Sequence, residues 1–127
     1  EEAEKTQMGY EFYPQGLEAV IRFVAKRFGK PIIVTENGIG TDDDERRIAF
    51  IDIALQGVLN CLADGIPVKG YMHWSLLDNF EWQLGFSRTF GLVAVDRSTQ
   101  KRSPKPSAYH LGRIARTRSL AQGGISP

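Results

Sequence analysis

The chain has 127 residues, 42% hydrophobic and 24% charged, an ordinary balance for one domain or a piece of one. Its 16 basic and 15 acidic side chains leave a net charge of +1, which lacks the basic footprint of a nucleic-acid binder. No apolar run approaches the roughly 18 residues needed to span a bilayer. Neither nucleic acid nor membrane is therefore expected as a partner. The Glu-rich N-terminus does not read as a signal peptide, and Cys61 stands alone, without disulfide partner or metal-ligand spacing. The expectation is a cytoplasmic protein with no metal and no cofactor.

Residues 1–13 read as a polar loop ending in Tyr10, Phe12 and Tyr13. Pro14 is expected in the first turn of a helix, where its missing N–H is harmless. Leu17, Val20, Ile21, Val24 and Phe28 follow at helical spacing, and Gly29 ends the run in the position that favours a left-handed residue. Pro31 to Thr35 is short, apolar and β-branched without alternation, so it predicts a strand buried on both faces. Asp42 to Glu45 place acids at the start of a long helix carrying Ile48, Ile51, Leu55, Val58, Leu59 and Leu62. Arg46 and Arg47 are expected to pair with Asp42 to Asp44 across a turn, at about 0.2–0.5 kcal/mol per pair. Gly65 and Pro67 stop that helix.

Val68 to Trp74 predicts a second strand, 75–92 a long aromatic loop, and Leu92 to Val95 a short extra strand. Pro104 and Pro106 precede a last helix with Tyr109, Leu111 and Ile114, on which His110 is expected to be partly exposed. The stretch 117–127 is polar and Gly-rich and is expected to be a mobile tail. Helices alternating with strands imply an α/β fold with a parallel sheet. Two strands do not close a core, and a (β/α)8 barrel needs eight strands and about 250 residues. Residues 1–116 are thus expected to be a portion of a larger barrel, as a fragment or as one chain of a split protein.

Two constellations carry chemistry. Glu36 follows four apolar or β-branched residues, at the carboxyl end of a parallel strand, where barrel enzymes build their sites. A retaining glycosidase needs such a carboxylate as nucleophile, with a second carboxyl about 5–5.5 Å away. Taken alone, an acid there is more often a cap or a solvated loop residue. Trp74, Glu81 and Trp82 follow the second strand. Indole planes cover the apolar faces of a sugar and a carboxylate accepts from its hydroxyls. Taken alone, the tryptophans are more often packing anchors, and Asp78 and Asn79 turn caps. His73 reads as a satisfied core histidine, Cys61 as a buried inert thiol, and Tyr71 as pointing into the barrel or its helix layer.

These residues, in this order, resemble the C-terminal part of the family 1 glycoside hydrolases, the β-glucosidase family. Met8 to Leu17 is similar to the segment entering the sixth barrel helix, Pro31 to Gly38 to the seventh strand, and Gly70 to Trp82 to the eighth strand and its sugar loop. Phe90-Gly91-Leu92 follows at the family's usual distance. The resemblance covers about residues 7–115 and implies a (β/α)8 barrel of which this chain is roughly the last quarter. It implies that Glu36 is the nucleophile of a retaining β-glycosidase acting on terminal β-D-glycosides. Trp74 would stack on the sugar, Glu81 would take its 4- and 6-hydroxyls, Trp82 its 3-hydroxyl, and Phe90 would wall the pocket near the 6-position. Glu81 separates the chain from the 6-phospho branch, because a carboxylate repels phosphate. Thr89 departs from the family, many of whose members carry a basic residue there. The Asn-Glu-Pro motif of the acid/base is absent from these residues, so the N-terminal remainder of the barrel is an expected partner. The competing expectation is a sugar-binding or scaffold chain without turnover. A cellulase- or xylanase-like barrel is a weaker third, ill suited to the loop containing Trp82.

Overall fold

The structure, a computed structural model, describes residues 4–120. Helix α1 (Gly16–Phe28) opens the fold. It starts two residues beyond Pro14, which is fully buried instead of occupying the first turn. The reason is a turn ahead of the helix, where the Gly16 N–H donates to the Tyr13 carbonyl at 3.1 Å. Gly29 ends α1 at φ 60°, its N–H returning to the Ala25 carbonyl, as expected. Strand β1 (Ile32–Asn37) leads to helix α2 (Asp44–Ala63) and strand β2 (Val68–His73). The two strands pair in parallel across this helical crossover, the unit of a parallel barrel. Asp43 caps α2 by accepting the Glu45 and Arg46 N–H groups.

The core lies between the outer face of this strand pair and the helices. Ile21, Val34, Ile51, Leu55, Val58, Cys61, Val68 and Leu92 form its main cluster, and Tyr71 packs against it from the sheet. A second cluster of Ile39, Phe50 and Ala54 continues toward the carboxyl ends of the strands. Of the strand expected to be buried on both faces, the described residues cover one face: Val34 is buried, and Ile33 and Met72 are each more than half exposed. Helices cover one face only. The opposite face, lined by these apolar side chains, has nothing packed on it among the described residues. The helical stripe is likewise only partly covered, since Val20 and Phe28 lie exposed on α1.

Val93–Val95 forms strand β3, as expected, and pairs antiparallel with β4 (Arg102–Pro104), which the sequence reading left out. The Asp96 carboxylate makes the turn between them, accepting from the Ser98 hydroxyl and the Ser98 and Thr99 N–H groups. These bonds hold it down to a pKa of about 2. Helix α3 (Pro106–Thr117) begins with a proline in its first turn and packs on α2 through Leu111 and Ile114. His110 is partly exposed, as expected, and it also has a partner on α2. Its side chain is 11% exposed and its Nε2 lies 2.6 Å from Asp52 on α2. Leu120 packs against the main cluster, so residues 117–120 finish the fold. Residues 121–127 of the expected tail lie outside the described residues.

Candidate active site

Glu36 reaches the carboxyl end of β1 through an irregularity. Val34 is opposite Tyr71 and Asn37 is opposite His73, so three steps on β1 match two on β2. Such a bulge re-aims a side chain. Strict alternation from buried Val34 would turn Glu36 toward the helices. Instead, Asn37 takes the helix side, where its Oδ1 accepts from the Tyr71 hydroxyl at 3.0 Å. Thr35 and Glu36 are both exposed, as are Ile33 and Met72 on the open face. Burial pushes the Tyr71 phenol up, so it stays a neutral donor to Asn37.

Trp74 continues β2 at the same level. Its N–H donates to the Asn37 carbonyl at 2.9 Å, which places Glu36 and Trp74 side by side rather than across the sheet. The Trp74–Ser75 peptide is cis. Gly38 is pressed against this strand end: a Cβ there would fall 1.7 Å from the Trp74 carbonyl oxygen. Only glycine fits that approach.

A cavity of about 320 Å³ opens at this rim. Trp74, Glu81 and Phe90 line it together with Gly38, Gly40 and Tyr10. Glu36 and Trp82 are not among its walls. Trp82 is 81% exposed and holds φ 42°, a left-handed conformation in a non-glycine residue. With so much of its surface open it is not a packing anchor among the described residues, contrary to that expectation. The 3₁₀ turn Trp82–Leu84 is closed by the Glu81 N–H donating to the Gly85 carbonyl at 2.7 Å.

Other expectations change in part. His73 is mostly buried, as expected; neither ring nitrogen makes a well-formed hydrogen bond among the described residues, and the polar group nearest its ring is the Phe90 backbone. Burial, aided by the Arg47 charge, lowers its pKa to about 4, so the ring is neutral at neutral pH. Asp78 does more than cap a turn: it accepts from the Gly91 N–H at 2.7 Å and pairs with Lys105 at 2.9 Å. Asn79 donates to the Ser75 hydroxyl. Cys61 is fully buried, and burial raises its thiol pKa, as expected of an inert cysteine. Arg47 pairs with Asp44, but as a buried residue rather than on a helix surface, and Arg46 instead reaches Glu4 at 2.7 Å. No group of three potential metal ligands occurs among the described residues. The wall formed by the 6–13 segment was missed, and only the density of its tyrosines signalled it.

A parallel strand pair with helices on one face and a polar-aromatic cavity at the carboxyl ends fits a sector of a (β/α)8 barrel. The model for Glycosyl hydrolase family 1 matches residues 1–120, and the chain belongs to that family. It is 38% identical to "Beta-glucosidase A" of Thermotoga maritima, over 91% of this chain and 28% of that protein. It is 40% identical to a "6-phospho-beta-galactosidase" of Streptococcus mutans, over 91% of this chain and 27% of that protein. Among solved structures, the apo form of β-glucosidase 1317 superimposes with a TM-score of 0.89 at 61% identity, covering 91% of this chain and 29% of that one. The chain therefore spans less than a third of these relatives.

The Gly38 contact generates a test. In the complete protein, Gly38→Ala is expected to lower stability by about 3 kcal/mol or more, because the atom it meets is backbone. Urea unfolding checks this, and a change below about 1 kcal/mol would contradict the packing described.

Proposed function

We propose that this chain supplies the nucleophile half of a retaining β-glycosidase acting on terminal, unphosphorylated β-D-glycosides, glucosides first among them. The observation that supports the reading is the end of β1, where Glu36 is exposed and the next residue, Asn37, accepts the Trp74 N–H, so that the carboxylate and the indole leave neighbouring strand ends. In a barrel, the rim at those strand ends is where substrate binds.

The chemistry follows. The Glu36 carboxylate attacks the anomeric carbon while a second carboxyl, on the N-terminal remainder of the barrel, protonates the departing oxygen. The same carboxyl then takes a proton from water, and the released hydroxide equivalent displaces Glu36 from the sugar. Trp74 offers its ring to the apolar face of the sugar. Glu81 accepts from the 4- and 6-hydroxyls, the Trp82 indole donates to the 3-hydroxyl, and Phe90 closes the side near the 6-position. The strained backbone and exposure of Trp82 support a side chain that waits for a ligand. No step requires a metal or organic cofactor.

Two outcomes are expected. Glu36→Gln in the complete protein lowers kcat on an aryl β-glucoside by at least about 10³-fold. Activity within about tenfold of the parent ends the assignment. An inactive parent that still binds the glycoside would favour sugar binding without turnover. Relatives of similar identity carry both plain and 6-phospho names, so Glu81 decides between them. An aryl β-glucoside is expected to exceed its 6-phosphate in kcat/KM by at least about 100-fold, and the reverse preference would overturn the role of Glu81.

A further inference from the structure

Arg47 is 1% exposed, a burial that a helix-surface ion pair does not explain. Its guanidinium donates to the Thr41 carbonyl and, at 2.7 Å, to the Thr89 carbonyl, 42 residues away. Asp44 neutralises it, and the same carboxylate accepts from the Ser107 N–H at 2.7 Å and hydroxyl at 2.8 Å. Burial raises the Asp44 pKa, but these donors outweigh it and hold the group ionised. The charge is thus compensated, as a buried guanidinium requires.

What the guanidinium joins is the cavity rim. Thr41 ends the segment that leaves Glu36, and Thr89 precedes Phe90. The two loops also bond directly, the Thr41 N–H to the Thr89 carbonyl at 3.1 Å and the Thr89 hydroxyl to the Thr41 carbonyl at 2.8 Å. On the far side of Phe90, Lys105 donates to the Gly91 carbonyl at 2.7 Å. Between them, the Phe90 carbonyl accepts the Ser75 N–H at 3.2 Å. The Phe90 ring lies so close over Gly40 that an added Cβ would sit 3.0 Å from its Cζ.

We propose that Arg47 is a positioning residue for sugar binding: it ties the loop after Glu36 to Thr89 and so sets where the Phe90 ring closes the cavity. It touches no substrate and acts through Phe90. The inference rests on the glycosidase reading above, but its structural half can be tested apart from it.

The experiment uses the complete protein and compares Arg47→Met, Arg47→Lys and Gly40→Ala with the parent on an aryl β-glucoside, with thermal unfolding in parallel. Arg47→Met is expected to raise KM about tenfold while kcat stays within about threefold. Arg47→Lys recovers part of the loss, since an ammonium keeps the charge and can donate to a carbonyl but lacks the planar fork that meets Asp44 with one nitrogen and the two carbonyls with the other. In a Phe90→Ala background, Arg47→Met adds less than about twofold to KM, because the ring it positions is gone. A folded Arg47→Met with the parent's KM, or a KM effect undiminished by Phe90→Ala, overturns the proposal. Should Arg47→Met not fold, Gly40→Ala displaces the ring directly; the same KM rise supports the role of Phe90 placement and an unchanged KM refutes it. If the parent hydrolyses no glycoside, the function fails separately. A crystal structure of Arg47→Lys then decides, by whether the Phe90 ring has moved from Gly40 or stayed.

Discussion

The parallel pairing of β1 with β2 is the constraint on which the rest of the structure depends. It brings two chain segments about forty residues apart to one rim, at one level. The closest point of that approach is Gly38 against the Trp74 carbonyl, a contact with no room for any side chain. One hydrogen bond, from the Trp74 N–H to Asn37, fixes the relative height of the carboxylate strand and the indole strand. Register in a sheet is unforgiving, since a slip of one residue exchanges the faces. Here an extra residue on β1 uses that rule to turn an acid out of the helix layer.

The fold around this rim is held by polar groups more than the apolar core alone suggests. Arg47 with Asp44, and Lys105 with Asp78, are ion pairs with little exposure, each tied to backbone near Phe90. Burying such pairs is costly, and here the cost is offset by bonds from both pairs to backbone carbonyls, although the Arg47 Nε–H has no partner among the described residues. Burial lowers the Lys105 pKa, and the Asp78 bond works against that shift. The cavity wall is thus set by bonds to main chain, which move less than side-chain contacts do. Preorganisation of this kind is what lets a sugar site spend binding energy on recognition rather than on ordering itself.

Much of this was legible in the sequence. The position of the first helix, the Gly29 stop, a cap among the acids that open the second helix and the two strand positions follow from local rules, although the apolar stripe from Leu17 is only partly buried. Trp74, Glu81 and Phe90 meet at one cavity, as the resemblance implied. The β3–β4 hairpin was missed because each strand is three residues long, too short to show a period, although Asp96 followed by Ser98 and Thr99 is a turn signature. The β1 bulge was missed because an inserted residue leaves no compositional mark. Arg47 read as a surface partner of its neighbouring acids, since i, i+3 spacing reveals the pair but not the chain that comes to cover it. The bond between His110 and Asp52 leaves no mark in the sequence for the same reason: a partner 58 residues away is set by the fold.

The central claim is that Glu36 stands at the mouth of a closed barrel, facing a second carboxyl across a bound sugar. A crystal structure of the complete protein with a glucose-like inhibitor tests it most directly. The expected result is a carboxyl group about 5–5.5 Å from that of Glu36, with the anomeric carbon between them and Trp74 beneath the ring. A Glu36 side chain directed away from the sugar, or one with no carboxyl within about 9.5 Å, would contradict it.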